Sequence, residues 1–213
     1  MSKPTETLTP VFVASYPNLF KPRLNDQSGK EEFSVVALFA KGENLGNLKA
    51  AAKAACIEKW GKDTSKWPRM TRNPFRDQGE RATKNEDGTV TLPQGYENGA
   101  IFINMKSQRA PGIVDQNRQP IIDQNKVYPG CHLRAYVNAY AYEVKGNVGV
   151  AFGLQHIQFV KDGDALGGMS KPEDVFEKVE MTESESGDAS GLFPTDAVAQ
   201  TEETQAQESM FDQ

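Results

Sequence analysis

Two runs of alternating residues, "HLRAYVNAYAYEV" (132–144) and "VGVAFGLQHIQFV" (148–160), flank Lys145-Gly146-Asn147. Successive side chains in a strand point to opposite faces. Leu133, Ala135, Val137, Ala139 and Ala141 therefore share one face, and His132, Arg134, Tyr136, Asn138, Tyr140 and Tyr142 share the other. The first set is small and apolar, which suits the interior of a narrow barrel. The glycine turn between the runs predicts a hairpin.

The remaining periodic segments fit the same architecture. "PVFVASY" (10–16) and "EEFSVVALFA" (31–40) are rich in β-branched and aromatic residues. The turn formers of "PNLFKPRLNDQSGK" between them predict a second hairpin-like pair. "AIFINMKSQ" (100–108) reads as a further strand, with Phe102, Asn104 and Lys106 on a face opposite Ile101, Ile103 and Met105. One helix is expected in "LGNLKAAAKAACIEKW" (45–60), where Leu45, Leu48, Ala52 and Ala55 recur on one face. A long loop is expected from Gly61 to about Asn98. About five strands and one main helix, without a βαβ alternation, predict a mainly β fold, a small antiparallel barrel.

Two features of this body point to nucleic acid. The outer face of 132–144 offers Arg134, Tyr136 and Tyr140, a π surface on which bases of any identity can stack. The alternative is that another part of the chain covers these rings. "KWPRMTRNPFR" (66–76) carries Lys66, Arg69, Arg72 and Arg76 without an acid, interleaved with Trp67 and Phe75. Spaced cations can follow a phosphate backbone while the aromatics stack; the alternative is a solvated loop whose Trp67 plugs the core. Lys106 and Arg109 would extend that basic surface, with Phe102 on the same strand face as Lys106.

Charge is distributed unevenly. From Glu173 onward there are twelve acids against one base, Lys178, and since the whole chain carries −5, residues 1–172 carry +6. A basic body with an acidic arm suggests a polyanion-binding domain over 1–168 and a disordered tail over 169–213. Near its end the tail holds a lone apolar pair, Met210-Phe211, followed by Asp212. This pair is expected to anchor a protein partner, unless the tail serves only solubility. Cys56 and Cys131 show no metal-ligand spacing with His132 or His156, and no phosphate loop or nucleophile elbow occurs. No catalytic residue, metal or cofactor is expected. No apolar run approaches a membrane span, and the first residues lack a secretory core, so a cytoplasmic protein is expected.

"VYPGCHLRAYVNAYAYEVKGNVGVAFGLQHIQFVKDGDALGG" (127–168) resembles the carboxy-terminal half of a family of bacteriophage-encoded single-stranded-DNA-binding proteins. "NLFKPRL" and "EEFSVVALFAK" extend the likeness more loosely. The resemblance implies an OB-fold that coats single-stranded DNA in phage replication and recombination, in the cytoplasm of the infected bacterial host. Its implied partners are single-stranded DNA and, through the tail, phage or host replication proteins; a homo-oligomer is compatible with it. It departs from a standard OB-fold in one respect: the helix falls between the second and third strands rather than the third and fourth. The competing readings are a phage structural or adaptor protein whose aromatic face meets protein, and a metal-dependent nuclease.

Overall fold

A computed structural model of the chain describes residues 3–26, 29–144 and 146–167. The expected tail, with Met210, Phe211 and Asp212, lies outside the described residues. The strands among these are β1 (Glu6–Leu8), β2 (Phe12–Asn25), β3 (Lys30–Leu38), β4 (Arg76–Asp77), β5 (Thr83–Lys84), β6 (Val90–Thr91), β7 (Ile101–Ser107), β8 (Gly112–Val114), β9 (His132–Val144) and β10 (Asn147–Lys161). The helix α1 spans Gly46–Trp60.

The five longest strands close a ring in the order β9-β2-β3-β7-β10 and back to β9. Every pairing in the ring is antiparallel except β7 with β10, which is parallel. An odd number of strands cannot close with antiparallel pairs alone, so one parallel pair is a geometric necessity. The result is the five-stranded Greek-key barrel of the OB-fold. β1 pairs with β9, and β8 extends the sheet beyond β10.

Alternation along β9 decides what fills the barrel. Leu133, Ala135, Val137 and Ala139 are buried there beside Phe12, Val35, Ile103, Met105, Phe152 and Ile157. α1 lies between β3 and β7 in sequence, as expected, and packs on β9 and β1. It buries Leu48, Ala51, Ala52, Ala55 and Cys56 while Lys49, Lys53 and Lys59 stay exposed. Small alanines let the helix approach the sheet closely. Cys56 and Cys131 are free and buried, and burial pushes the Cys131 thiol up to about 11, far from a reactive range. Among the described residues no helix is long and apolar enough to cross a membrane.

Two expectations about the boundaries change. β2 does not stop at Tyr16 but continues through the apparent turn formers to Asn25, pairing Arg23, Leu24 and Asn25 with Glu32, Glu31 and Lys30. Pro17 and Pro22 fall inside its register shifts, where the ladder does not need their missing N–H. Tyr16 takes a positive φ of 47° at the first shift, which bends the strand. The long region after α1 is also less bare than expected. It carries β4, which returns to pair with β7, and the separate β5–β6 hairpin.

Candidate nucleic-acid interface

OB-folds bind oligomers across their second and third strands, between the loops that join strands one to two and four to five. In this barrel those strands are β3 and β7, and the loops are the β2–β3 and β9–β10 turns. A groove of about 880 Å³ opens between the ends of those two turns, against β9 and β10 and reaching β7 only at Asn104. Asn25 lines it from the end of β2, Asn104 from β7, and Val144 and Asn147 from the end of β9 and the start of β10. Tyr140 and Tyr142 of β9, Val150 and Ala151 of β10, and Arg72, Arg76 and Arg81 of the long connection line it too.

The two tyrosines form a platform. Their ring centroids are 6.5 Å apart with planes tilted by 51°, and Tyr140 is 46% exposed. Burial of part of the ring, and then the Glu32 carboxylate, push the Tyr140 phenol above its ordinary value. It is therefore a neutral donor at physiological pH, with no charge to repel phosphate.

On the cationic side Arg72 is held by backbone and Arg76 by an ion pair. Thr71 and Arg72 both donate their N–H to the Val148 carbonyl, at 2.9 and 3.0 Å, and the Thr71 hydroxyl accepts from Val148 N–H at 3.0 Å. Arg72 thus forms a parallel bridge with Gly149, and its Nε donates to Asn147 Oδ1 at 3.3 Å. β4 then places Arg76 opposite Phe102. Arg76 donates to Glu80 Oε2 from Nε and Nη2 at 2.8 and 2.6 Å.

Tyr140 also lines a neighbouring cleft with Lys106, Arg109, Asn138, Gln155 and His156. Lys106 sits 3.1 Å from Glu32 there. One ring therefore joins two cation-bearing depressions into a single course over the barrel.

The residues expected from sequence separate in space. Arg72, Arg76 and Tyr140 meet in the groove, and Lys106 and Arg109 meet Tyr140 in the adjoining cleft. Phe102 is corrected. It shares a face with Asn104 and Lys106, as alternation requires, but it is fully buried, because β4 pairs along β7 and brings Arg76, and Arg81 in the turn that follows, over the ring. Phe75 packs edge-on against the core ring of Phe152 at 5.8 Å. Trp67 lies 6.4 Å from Trp60, and its Nε1 donates to the Gly61 carbonyl beyond the end of α1. Lys66 faces Asp63 at 3.5 Å, and Arg69 is exposed without lining the groove.

Tyr136 is half-buried outside both depressions and donates its hydroxyl to Glu6 at 3.1 Å. Arg134, near the far end of β9, donates from Nε to Gln158. Arg81 and Asn25 had no periodicity or motif to mark them. Only the return of the long connection over β7, and the extension of β2, bring them to the groove.

This is a barrel of the OB class with an aromatic and cationic groove between the ends of its β2–β3 and β9–β10 hairpins. The sequence signature of the Enterobacter phage Enc34 ssDNA-binding protein matches residues 5–188, and the chain belongs to that family. Protein p50 of Acyrthosiphon pisum secondary endosymbiont phage 1 is 30% identical over 178 residues, spanning 80% of this chain and 92% of that one. The fold is similar to the Enc34 protein solved in complex with ssDNA, with a TM-score of 0.59 and 17% identity over 76% of this chain and 90% of that one. It is also similar to gp2.5 of bacteriophage T7, a single-stranded DNA binding protein, with a TM-score of 0.50 and 13% identity over 78% and 97% of the two chains.

Proposed function

We propose that this protein coats single-stranded DNA, largely without sequence preference, in phage replication and recombination within the infected bacterial host. It acts by binding rather than catalysis. The observation that carries the reading is the groove, where Arg72, Arg76 and Arg81 stand with Tyr140 and Tyr142 between the two hairpin ends that flank an OB-fold's binding face. Membership of a family whose Enc34 representative was solved with ssDNA supports it. Stacking on tyrosine does not depend on base identity, and phosphate contacts carry no sequence information.

Fluorescence polarisation with labelled oligo-dT, against duplex and across a salt series, tests this. Tight, salt-sensitive binding to the single strand is expected, and absence of binding would favour the adaptor reading. Neutralising Arg72 and Arg76, which line the groove, should reduce the magnitude of the log–log salt slope by up to about 1.4, at about 0.7 per phosphate contact on a single strand, and adding Arg69 should change it no further. An unaltered slope would take the loop away from phosphate.

The proposal extends to residues 169–213. Their charge resembles that of a nucleic-acid backbone, so they can compete for the basic groove, and Met210-Phe211 with Asp212 would serve replication partners when DNA displaces them. Deleting 169–213 should tighten oligo-dT binding, most visibly at low salt. Phe211→Ala should leave DNA affinity intact and abolish partner capture. A truncated chain that binds no more tightly, with partners retained by Phe211→Ala, would refute both roles.

A further inference from the structure

Two guanidiniums share one buried ring in the groove. Arg76 and Arg81 each place Cζ 5.0 Å from the Phe102 centroid. A roof for an apolar ring does not need two cations, and like charges held over the same ring repel. Glu80 meets Arg76 at 2.6 Å, but among the described residues no carboxylate lies within ion-pair distance of Arg81. The pair is left with an excess positive charge, a condition that favours an anion.

The position suits that anion. Arg81 lines both the groove with Tyr140 and Tyr142 and a further cleft over β3 and β7, where Asn18, Arg23, Asn104 and Lys106 stand with Asp26 and Glu32, so it stands where these two meet. Contact with the ring takes up no N–H of Arg81, and none of them donates to a described residue, so they are open to a ligand. Arginine's planar fork matches two phosphate oxygens at once. Phe102 cannot stack on a base, being fully buried, but it can fix the position of the two guanidiniums that contact it.

Resting on the single-stranded-DNA reading, we propose that Arg76, Phe102 and Arg81 form a phosphate clamp. Arg81 is the principal ligand for a backbone phosphate of the strand whose bases stack on Tyr140 and Tyr142. Phe102 is a positioning residue that acts through the two arginines. Glu80 tempers Arg76, so Arg81, which meets no carboxylate among the described residues, carries more of the salt dependence.

The test uses the full chain and labelled oligo-dT across a salt series. Arg81→Ala should lower affinity roughly tenfold at low salt, a size expected for a lost charge-assisted contact, and reduce the salt slope by about 0.7. Arg81→Lys should keep the slope, because charge is retained, while losing part of the affinity with the fork. Phe102→Leu should lower the slope in the wild-type background and leave it unmoved in an Arg76→Ala/Arg81→Ala background, the signature of action through the arginines. A purely structural Phe102 would lower the melting temperature and leave the slope intact. Arg81 lies on the surface, so Arg81→Ala tests the clamp even where Phe102→Leu fails to fold. Wild-type binding with an unchanged slope in Arg81→Ala would overturn the clamp alone. No wild-type binding to oligo-dT would overturn the reading beneath it as well.

Discussion

Replacing Tyr140 and Tyr142 together with alanine is expected to weaken oligo-dT binding by about thirtyfold or more. Each base–aromatic stack contributes about 1–3 kcal/mol, and two lost stacks multiply. The rings touch at 6.5 Å, so either one alone can partly re-form a platform, and the single variants should together account for less than the double. The substitution should leave the barrel standing, since both rings lie on the outer face and the core residues of β9 alternate with them. Tyr136→Ala is the internal control. Its hydroxyl is engaged by Glu6 and it lines neither depression, so its loss should change DNA affinity by less than about threefold, within what surface substitutions commonly produce. Circular dichroism and urea unfolding establish that each variant is folded. Wild-type affinity in a folded double variant would reassign the platform to a protein partner.

How far the sequence alone leads to this site depends on which contacts are local. Strand alternation in β9 is a property of consecutive residues, so its buried face and the outward tyrosines could be read directly, as could the alanine face of α1. Phe102 shows the limit of the same reasoning. Alternation assigns a face, but whether that face meets water depends on β4, more than twenty residues earlier, returning to pair with β7. The basic loop divides for a similar reason. Composition makes Lys66, Trp67, Arg72 and Arg76 alike, whereas the structure places Trp67 beside Trp60 at the helix end and anchors Arg72 on β10. Arg81, in "QGERAT" (78–83), sits next to an acid in an aperiodic stretch and carries no local mark at all. The prolines of "PNLFKPRLN" (17–25) misled because proline ends a regular ladder but is accommodated where the register slips.

Gly149 joins the fold to the groove, and Gly149→Ala should expose the connection through the sign of its effect. Glycine in a strand is ordinarily the weaker choice, so alanine is expected to stabilise by about 0.5–1 kcal/mol where space allows. Gly149 has no positive φ to protect. Space is what it lacks: a Cβ there would stand 2.5 Å from the Arg72 carbonyl oxygen, 2.9 Å from Arg72 Cβ and 3.2 Å from the Tyr142 hydroxyl. The nearest obstacle is backbone, which a rotamer change cannot move. Alanine should therefore destabilise, by about 1–3 kcal/mol as overpacking does, by lifting residues 71–72 from Val148 and breaking the hydrogen bonds that hold them. Arg72 would leave the groove with that loop, so the salt slope for oligo-dT should fall by about 0.7 although no charge has been removed. Trypsin should cleave after Arg69 and Arg72 faster than in the wild type, since a lifted loop can enter the protease as a docked one cannot. If alanine stabilises the protein, and neither cleavage nor slope changes, then the loop is not held against β10 by the space that Gly149 leaves, and Arg72 reaches the groove by some other support.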